Sequence, residues 1–422
     1  MKASEILKRL SSGEMIPLLR EIYSENIDEQ VLRYKEAIQS FMDYYGDQDI
    51  MIFSVPGKCE IGGNHTDHQQ GRVLASAIQL DSIGIVAKQD RYVKVIYNEL
   101  NINEIDTENI KYNEAKKGTM ESLINGVLFG LNQKNYHIGG FNAYIQCDIP
   151  RNVGLGSSAN FNIMIGTIIN YLYNEGKIEN KYLVQIGRFA TNIFYCKPSG
   201  LMNECVCCVG GFIKVDFRDP NSPDIYKLNT DFSNFDYTLC CVNSNVCRSD
   251  NTIDYDAIPK EMIKVANFFK KDVLRDVSYD EFMENYRIVR ARVGDRPALR
   301  ALHFFKEEDR VLKQTEALEK GDFDTFLKLV RESGDSTFKA LQNIYPQEST
   351  RHQNIGTAIV LSENFLGEDG VVKVNGGGFS STMIAFVKTN RINDYASYMD
   401  SIFGKGSCYI IHTREQGAIR LL

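Results

Sequence analysis

The chain has 422 residues, of which 43% are hydrophobic and 24% are charged. These proportions are ordinary for a soluble globular protein, and the length allows two domains with sizeable cores. The net charge of −7 and the isoelectric point near 5.6 argue against nucleic acid or an anionic membrane as a partner, but they allow a local basic pocket for phosphate.

The ten cysteines predict neither a disulfide framework nor a zinc site. The CxxC pair formed by Cys205 and Cys208 has no second Cys or His pair at zinc-site distance. Adjacent cysteines such as Cys240 and Cys241 are typical of small buried hydrophobes in a reducing compartment. No signal peptide is evident, and no apolar run approaches the length of a membrane span. The sequence therefore predicts a cytoplasmic protein.

The first half of the chain alternates predicted helices and strands. Residues 1–46 carry apolar side chains at helical spacing, which predicts two or three amphipathic helices. A short apolar run at 50–55 then leads into a loop at 56–74 that is dense in glycine and polar residues, and such loops commonly carry chemistry. The other predicted elements are strands at 91–98, 141–147 and 212–217 and helices at 118–131, 181–194 and from Pro198 to the glycine pair at 210–211.

The stretch 148–174 joins a glycine turn to a long apolar helix. Gly154 and Gly156 permit tight backbone turns, and Ser157 and Ser158 add hydroxyls where the helix begins. Because this helix is apolar on nearly every side, we expect it to be buried, with free N–H groups and the helix dipole favouring an anion at its N-terminus. Taken alone, GLGSS better suits an ordinary serine-capped helix, and no GK[ST] follows to make a Walker loop.

The second half of the chain is rich in predicted helices. The predicted elements are a strand at 237–242, helices at 260–269, 279–293, 298–318 and 323–334, a glycine turn between strands across 371–387, and a last strand at 408–412. The change in character after about residue 230 indicates a second domain. An active site would then lie between the two halves.

Three segments in order resemble the three motifs of the GHMP small-molecule kinases, and the first resembles the galactokinase signature. They are PGKCEIGGNHTDHQQGRVL at 56–74, PRNVGLGSSANF at 150–161 and VNGGGFSSTMIAF at 374–386, with further likeness at 243–255, 293–311 and 332–345. The resemblance implies a two-domain α+β fold of the GHMP kinase type with the active site in the interdomain cleft. It implies an N-terminal domain at 1–230 and a C-terminal domain at 231–422. Active members use ATP and magnesium to phosphorylate the anomeric hydroxyl of galactose.

The resemblance implies a role for each motif residue. The sugar side would be lined by Asn64, His65, Asp67, Gly210, Tyr255 and Gly377. The phosphates of ATP would be cradled by Gly154, Leu155, Gly156, Ser157 and Ser158, and magnesium would be held at Ser158 and Thr191. A carboxylate such as Asp67 suits a sugar because it only accepts hydrogen bonds, which hydroxyls donate. The alternatives are a turn-capping role for Asp67 and a plain turn at 376–378.

Several positions depart from the family pattern. Asn203, in KPSGLMNE, stands where PxGxMDQ has the catalytic aspartate, and an amide cannot take a proton. Thr191 stands at the position of a magnesium-binding glutamate, although magnesium prefers anionic oxygen ligands. Lys58 replaces an arginine that pairs with the aspartate, and an ammonium lacks the planar fork of a guanidinium. Asn64 replaces a sugar-contacting glutamate. Ser380 and Ser381 are a mild change in the third motif.

Two functions follow from these departures. The favoured one is a galactokinase-like protein that binds a galactose-type hexose and ATP, with phosphoryl transfer impaired or lost, because the base, the metal ligand and the cationic partner are altered together. The alternative is an active ATP-dependent galactokinase that forms galactose 1-phosphate, or the 1-phosphate of a related hexose. In that case Glu204 replaces the aspartate, or positioning and electrostatics suffice.

Overall fold

The computed structural model describes residues 1–150, 153–197, 199–230, 232–245, 252–347, 350–379 and 382–422. Within these ranges the helices are, in chain order, α1 (Ala3–Ser11), α2 (Ile16–Arg20), α3 (Ile27–Tyr45), α4 (Met120–Gln133), α5 (Ser157–Tyr173), α6 (Asn180–Phe189), α7 (Met202–Val209), α8 (Thr252–Phe268), α9 (Tyr279–Glu284), α10 (Tyr286–Val293), α11 (Asp295–Glu319), α12 (Phe323–Ser336), α13 (Asn354–Leu366) and α14 (Ile392–Phe403). Among the described residues, no helix combines the length and the apolar character needed to cross a membrane.

The strands form two sheets. They are β1 (Met51–Gly62), β2 (Arg72–Lys88), β3 (Tyr92–Tyr97), β4 (Leu100–Asp106), β5 (Phe141–Cys147), β6 (Phe212–Asp216), β7 (Asp224–Lys227), β8 (Tyr237–Asn243), β9 (Gly370–Val374), β10 (Thr382–Lys388), β11 (Cys408–Ile411) and β12 (Ile419–Arg420). The first sheet has the order β12-β1-β2-β5-β3-β4, with β6 paired to β2 and β7 to β6. The second sheet has the order β11-β8-β10-β9. The result is a two-domain α+β fold.

Helices cover both faces of the first sheet because successive side chains of a strand point to opposite faces. On β1, Ile52 belongs to the core formed with α1, α2 and α3, whereas Phe53 and Val55 belong to the core formed with α4, α5, α6 and α7. One face of the second sheet packs on α13 and α14. Its other face joins the main core, where Phe386 of β10 meets Phe326 of α12. The core therefore runs continuously from one sheet to the other.

Most predicted elements of the first half are confirmed. Three helices occupy residues 1–46, β5 spans the predicted residues 141–147, and α5 is buried along most of its length. The prediction of a polar loop beginning at residue 56 is wrong, because β1 continues to Gly62. The strand tolerates Lys58 and Glu60 because their side chains reach a cleft, whereas Cys59 and Ile61 between them lie in the core.

The second half differs more from its prediction. α8 begins at Thr252, earlier than the predicted helix at 260–269, so that Tyr255 lies in its first turn. The helix predicted at 279–293 is divided at Asn285 into α9 and α10. The sequence reading did not predict α13 and α14. The predicted helix start at Pro198 lies outside the described residues, and α7 begins at Met202.

The domain boundary at residue 230 stays a prediction. One observation bears on it: β12, near the C-terminal end of the chain, pairs with β1 of the first sheet. The preceding segment also contacts that sheet, because Arg414 donates a backbone hydrogen bond to Ala77 at 3.0 Å. The C-terminal segment therefore returns to the N-terminal half.

Asp81 of β2 joins this C-terminal segment to the N-terminal helices. Its fully buried carboxylate accepts hydrogen bonds from Arg33 of α3 at 2.7 Å, from Arg414 at 3.0 Å, from Tyr23 at 2.7 Å and from Ser54. Burial alone would raise the pKa of this carboxyl, but the two guanidinium groups outweigh burial and hold the pKa below its ordinary value. The charged carboxylate is thus a structural anchor.

We expect Asp81→Asn to lower the free energy of unfolding by about 3–5 kcal/mol, because the buried guanidinium of Arg414 loses its counter-charge and that of Arg33 keeps only Asp148. Urea unfolding at pH 7 measures the effect. Asp309→Asn is the matched control, since Asp309 forms only an exposed pair with Lys313 and its removal should cost less than about 1 kcal/mol. Equal effects of the two substitutions would contradict the anchoring role of Asp81.

Candidate active site

A cleft of about 470 Å³ lies between the two sheets. Its walls come from β1 and the turn after it, the N-terminal end of α5, parts of the segments 191–197 and 199–204, the first turn of α8 and residues 376–379 after β9. The cleft brings together Lys58, Asn64, His65, Asp67, Gly154, Gly156, Ser157, Ser158, Thr191, Asn203, Glu204, Tyr255 and Gly377. Of the site residues predicted from the sequence, Leu155 and Gly210 do not line it. Ser380 and Ser381 lie outside the described residues.

The glycine loop and the start of α5 form one wall. Gly154 and Gly156 have φ values of 74° and 86°, in the left-handed region that favours glycine. Ser157 begins α5, and both Ser157 and Ser158 are partly exposed to the cleft. The free N–H groups and the dipole of this 17-residue helix favour an anion at that end. The wall therefore suits phosphate groups.

Lys58 of β1 packs directly beneath this loop. Its backbone N–H donates to the carbonyl oxygen of Leu155 at 2.9 Å, which explains why Leu155 acts through its backbone while its side chain lies in the core. An added Cβ at Gly156 would lie 2.8 Å from the Lys58 Cγ. The Lys58 side chain is 3% exposed, and within the described ranges its ammonium has no carboxylate within 4.0 Å. Its positive charge is available to an anion in the cleft.

A chain of hydrogen bonds fixes His65 on the opposite side of the cleft. Its Nε2 lies 2.8 Å from the carbonyl oxygen of Gly377, and its Nδ1 lies 3.2 Å from the Nε2 of His68. The carbonyl can only accept, so His65 donates from Nε2 and His68 donates to His65 Nδ1. Burial lowers the pKa of both imidazoles, which favours the neutral rings that this arrangement requires. His65 therefore links the first motif to the third.

Asp67 and Tyr255 complete this side. The Asp67 Oδ1 accepts from the His68 N–H at 2.8 Å, and burial raises the pKa of its carboxyl. The ring of Tyr255 lies 5.4 Å from the His65 ring, and an added Cβ at Gly377 would lie 2.1 Å from Tyr255 Cε2. Glycine at 377 is thus required by the approach of the tyrosine ring. A carboxylate and an aromatic face are groups that suit a sugar.

Two predicted sugar residues have other surroundings. The fully buried Asn64 amide donates to Glu60 Oε1 at 2.6 Å and to the Gly376 carbonyl, and its Oδ1 accepts from Asn343 Nδ2 at 2.8 Å. Its polar groups are therefore occupied by protein partners. Gly210 ends α7, and an added Cβ there would lie 2.2 Å from the backbone nitrogen of Gly417. Its glycine character is explained by packing against the C-terminal segment.

The first turn of α7 presents Asn203 and Glu204. The Asn203 Oδ1 and the Glu204 Oε2 are buried and lack a hydrogen-bond partner within the described part of the chain. Burial raises the pKa of the Glu204 carboxyl to about 8, against the lowering effects of Arg188 and Lys58. An amide occupies the position predicted for the base, and the adjacent carboxyl titrates near neutral pH.

The side chains at the predicted magnesium position do not fit that ion. The Thr191 hydroxyl donates to the Gly187 carbonyl at 3.2 Å and accepts from Asn162 Nδ2 at 2.8 Å, so its oxygen is already engaged. The other predicted ligand, Ser158, offers a single neutral hydroxyl. No group of three His, Cys, Asp or Glu side chains suited to a metal ion occurs among the described residues. Magnesium in proteins is held largely by carboxylates and phosphates.

Sequence reasoning missed several residues of the cleft. Glu60, Lys197, Gly200 and Asp256 also line it. A signal for Glu60 was present, because residues two apart on a strand share a face and Lys58 was already assigned to the site. Gly200 had no such signal, because its role depends on a contact between segments that are distant in the sequence. An added Cβ at Gly200 would lie 1.8 Å from Asp67 Oδ2.

We expect Gly156→Ala to weaken nucleotide binding by about tenfold or more, because the new methyl group both strains a left-handed residue and displaces Lys58. Calorimetric titration with ATP measures the effect. Gly118→Ala is the matched control, since Gly118 has a φ of 75° but open space around an added Cβ. Unchanged ATP affinity in Gly156→Ala would contradict a phosphate-binding role for the loop.

Comparisons with known proteins agree with this geometry. Residues 39–88 match the galactokinase galactose-binding signature, and residues 122–211 match the GHMP kinases N terminal domain. The chain is 27% identical to a galactokinase of Streptococcus suis over 373 residues, which covers 85% of this chain and 90% of that protein. It is 25% identical to a galactokinase of Clostridium tetani, with 89% and 93% covered.

The fold is also that of solved kinases. The crystal structure of Lactococcus lactis galactokinase complexed with galactose superposes with a TM-score of 0.77 at 20% identity, covering 90% of this chain and 98% of that chain. A mevalonate kinase structure gives a TM-score of 0.61 at 17% identity, with 86% and 99% covered. Motifs, relatives and fold point the same way: the chain carries the galactokinase galactose-binding signature and a GHMP kinases N terminal domain, and over most of its length it is similar to galactokinases.

Proposed function

We propose that this chain binds a galactose-type hexose and ATP in the cleft and that its phosphoryl transfer is impaired or lost. One observation carries the proposal. The cleft keeps a phosphate-binding loop and an acidic sugar side, but it holds an amide at Asn203 and an engaged hydroxyl at Thr191, where transfer would need a base and an anionic metal ligand. A cytoplasmic location, where ATP is abundant and thiols stay reduced, fits the proposal.

Binding is supported by charges of opposite sign on the two sides of the cleft. Phosphate oxygens would receive N–H groups from the loop at Gly154 to Ser158 and the charge of Lys58. Sugar hydroxyls would donate to Asp67, while the ring of Tyr255 covers an apolar face of the sugar. These contacts need no proton transfer and no metal. They support binding independently of turnover.

Transfer needs more than binding. The attacking hydroxyl must lose its proton, and the charge on the terminal phosphate must be stabilised. The Asn203 amide can hold a hydroxyl by hydrogen bonds but cannot accept its proton. Loss of a general base alone typically lowers the rate by roughly 10² to 10⁴-fold. Lys58 supplies positive charge without the bidentate geometry of an arginine.

Two measurements on the purified protein test the proposal. Calorimetry with galactose and with ATP should show saturable binding of each. A sensitive coupled assay with ATP, magnesium and a panel of hexoses should stay at or near background. Failure to bind either ligand would overturn the binding proposal, and rapid formation of a hexose 1-phosphate would overturn the loss of transfer.

Restoring the two lost groups should restore turnover. We expect Asn203→Asp combined with Thr191→Glu to raise the rate of galactose phosphorylation by roughly 10²-fold or more, because it supplies a proton acceptor and an anionic metal ligand. Thr191→Gln with Asn203 retained is the control, since Gln matches Glu in size and Asn matches Asp, both without charge. An equal rate in the control and the double variant would show that the missing charges do not silence the site.

A second candidate function, an active galactokinase, is favoured by Glu204. This carboxyl lines the cleft next to Asn203, its Oε2 has no partner among the described residues, and its pKa is raised to about 8. A carboxyl with such a pKa can serve as a general base near neutral pH. Any turnover should then rise as the pH approaches 8 and disappear in Glu204→Gln.

The raised pKa of Glu204 also predicts a pH dependence of stability that does not require turnover. The folded pKa of about 8 lies above the ordinary value of 4.5, so the folded chain retains a proton that the unfolded chain has lost between these two values. Relative to Glu204→Gln, the wild type should therefore lose roughly 1 kcal/mol of unfolding free energy per pH unit across that window. Parallel unfolding curves of the two proteins from pH 5 to pH 8 would contradict the buried, protonated state.

A further inference from the structure

We infer that Glu60 is a specificity-determining residue of the sugar side, whose carboxylate receives a hexose hydroxyl and is aimed by Asn64. The inference rests on the proposed function, because it assumes that a hexose occupies the cleft. Glu60 lies on β1, two residues after Lys58, and both side chains line the cleft. The alternation of the strand thus points both side chains into the cleft, with Lys58 packed against the glycine loop and Glu60 bonded to Asn64.

Glu60 is a buried carboxylate whose bonding within the protein is incomplete. It is 5% exposed, and its Oε1 accepts from the Asn64 Nδ2 at 2.6 Å. The described part of the chain provides no other hydrogen bond to Glu60 and no cation within 4.0 Å of it. An ionised carboxylate offers about four acceptor positions and is costly to bury unless donors fill them. Donors must therefore come from the cleft.

Other buried carboxylates of this chain show the contrast. Glu307 is fully buried, but it accepts from the Gly63 N–H at 3.0 Å and from the Ser333 hydroxyl at 2.6 Å and is paired with Arg310. Asp81 is satisfied by two arginines and two hydroxyls. Neither of these two groups lines the cleft. Glu60 has one protein donor and faces the cleft, which is the arrangement expected of a ligand-binding group.

Asn64 explains how the carboxylate is held. Its amide group donates both to Glu60 and to the Gly376 carbonyl. A carboxylate at position 64 would place a second negative charge next to Glu60, and it would have no hydrogen to donate to the Gly376 carbonyl. Its Oδ1 accepts from the Asn343 Nδ2 at 2.8 Å, which fixes the orientation of the amide. Asn64 is therefore a positioning residue. The carboxylate that touches the ligand is at position 60.

The partners of Glu60 indicate which chemical class it would recognise. Asp67 lies near enough for the charge of Glu60 to contribute to the raised pKa of the Asp67 carboxyl. Two carboxylates on one side of a cleft are suited to a neutral polyol whose adjacent hydroxyls each donate one hydrogen bond. An anionic sugar would be repelled by both groups. We therefore assign this side to an uncharged hexose, with Glu60 and Asp67 reading different hydroxyl groups.

The test compares the affinities of Glu60→Gln and the wild type for galactose and for its monodeoxy analogues. The affinities are measured by calorimetry. In the wild type, removal of one particular hydroxyl should weaken binding by about tenfold or more, since hydrogen bonds to charged groups contribute strongly. In Glu60→Gln the affinity for galactose should fall by a similar factor, and the penalty for that one hydroxyl should largely disappear. Penalties at the other hydroxyls and the affinity for ATP should remain.

Two further variants make the result decisive. Glu316→Gln removes an exposed carboxylate of α11, and it should bind every analogue as the wild type does. Glu60→Asp keeps the carboxylate on a side chain that is one methylene shorter. Its affinity for galactose should therefore lie between those of the wild type and Glu60→Gln. It also serves as the test if Glu60→Gln does not fold. An unchanged analogue profile in the Glu60 variants would overturn the inference while hexose binding stands, whereas a wild type that binds no hexose would overturn the proposed function and this inference together.

Discussion

The contact between the glycine loop and β1 is the constraint on which the cleft depends. The loop can lie on the strand only because Gly156 has no side chain, which leaves the Lys58 stem in place, and the Lys58 N–H holds the Leu155 carbonyl at 2.9 Å. This contact brings the N-terminus of α5 to the same wall as the outward-facing residues of β1. Phosphate donors, an ammonium and a carboxylate are thus positioned by one strand and one helix.

Three polar residues of the cleft contrast with two carboxylates of the core. In the core, Asp81 and Glu307 are surrounded by donors from the protein. In the cleft, Glu60 has a single donor, and Asn203 and Glu204 each leave an oxygen without a partner among the described residues. Buried polar groups are normally satisfied, so an exception needs an explanation. For these cleft residues we propose a ligand that carries several hydroxyl groups as the explanation.

Most departures from the kinase pattern lie together in the cleft. Under the proposed function, Asn203, Thr191 and Lys58 fall where the attacking hydroxyl, the metal and the transferred phosphate would act, whereas Asn64 is a change on the sugar side. Thr191 illustrates the change. Its hydroxyl accepts a hydrogen bond from Asn162 and donates one to the Gly187 carbonyl. The hydroxyl at the proposed metal position is therefore part of the helix packing. Under the proposed function, the cleft keeps binding and loses transfer.

The residues of the candidate site could be predicted from the sequence more completely than the boundaries of the helices and strands. Motif residues found by resemblance meet in the cleft because a glycine loop and a short signature leave few alternative arrangements. What failed depended on contacts between distant segments: β1 continues through a polar stretch because the cleft accommodates Lys58 and Glu60, and Gly210 faces the C-terminal segment rather than the cleft. Helices α13 and α14 were not predicted, although their buried residues recur at helical spacing, as Ile392, Tyr395 and Met399 do in α14.

The central claim is that sugar and nucleotide are held together without transfer. Phosphorus NMR on the wild-type protein, at stoichiometric concentrations of galactose, ATP and magnesium, tests this most directly. The account predicts perturbed resonances of bound nucleotide that respond to galactose, with no galactose 1-phosphate accumulating over many hours. Formation of galactose 1-phosphate in amounts equal to the protein or greater would contradict it.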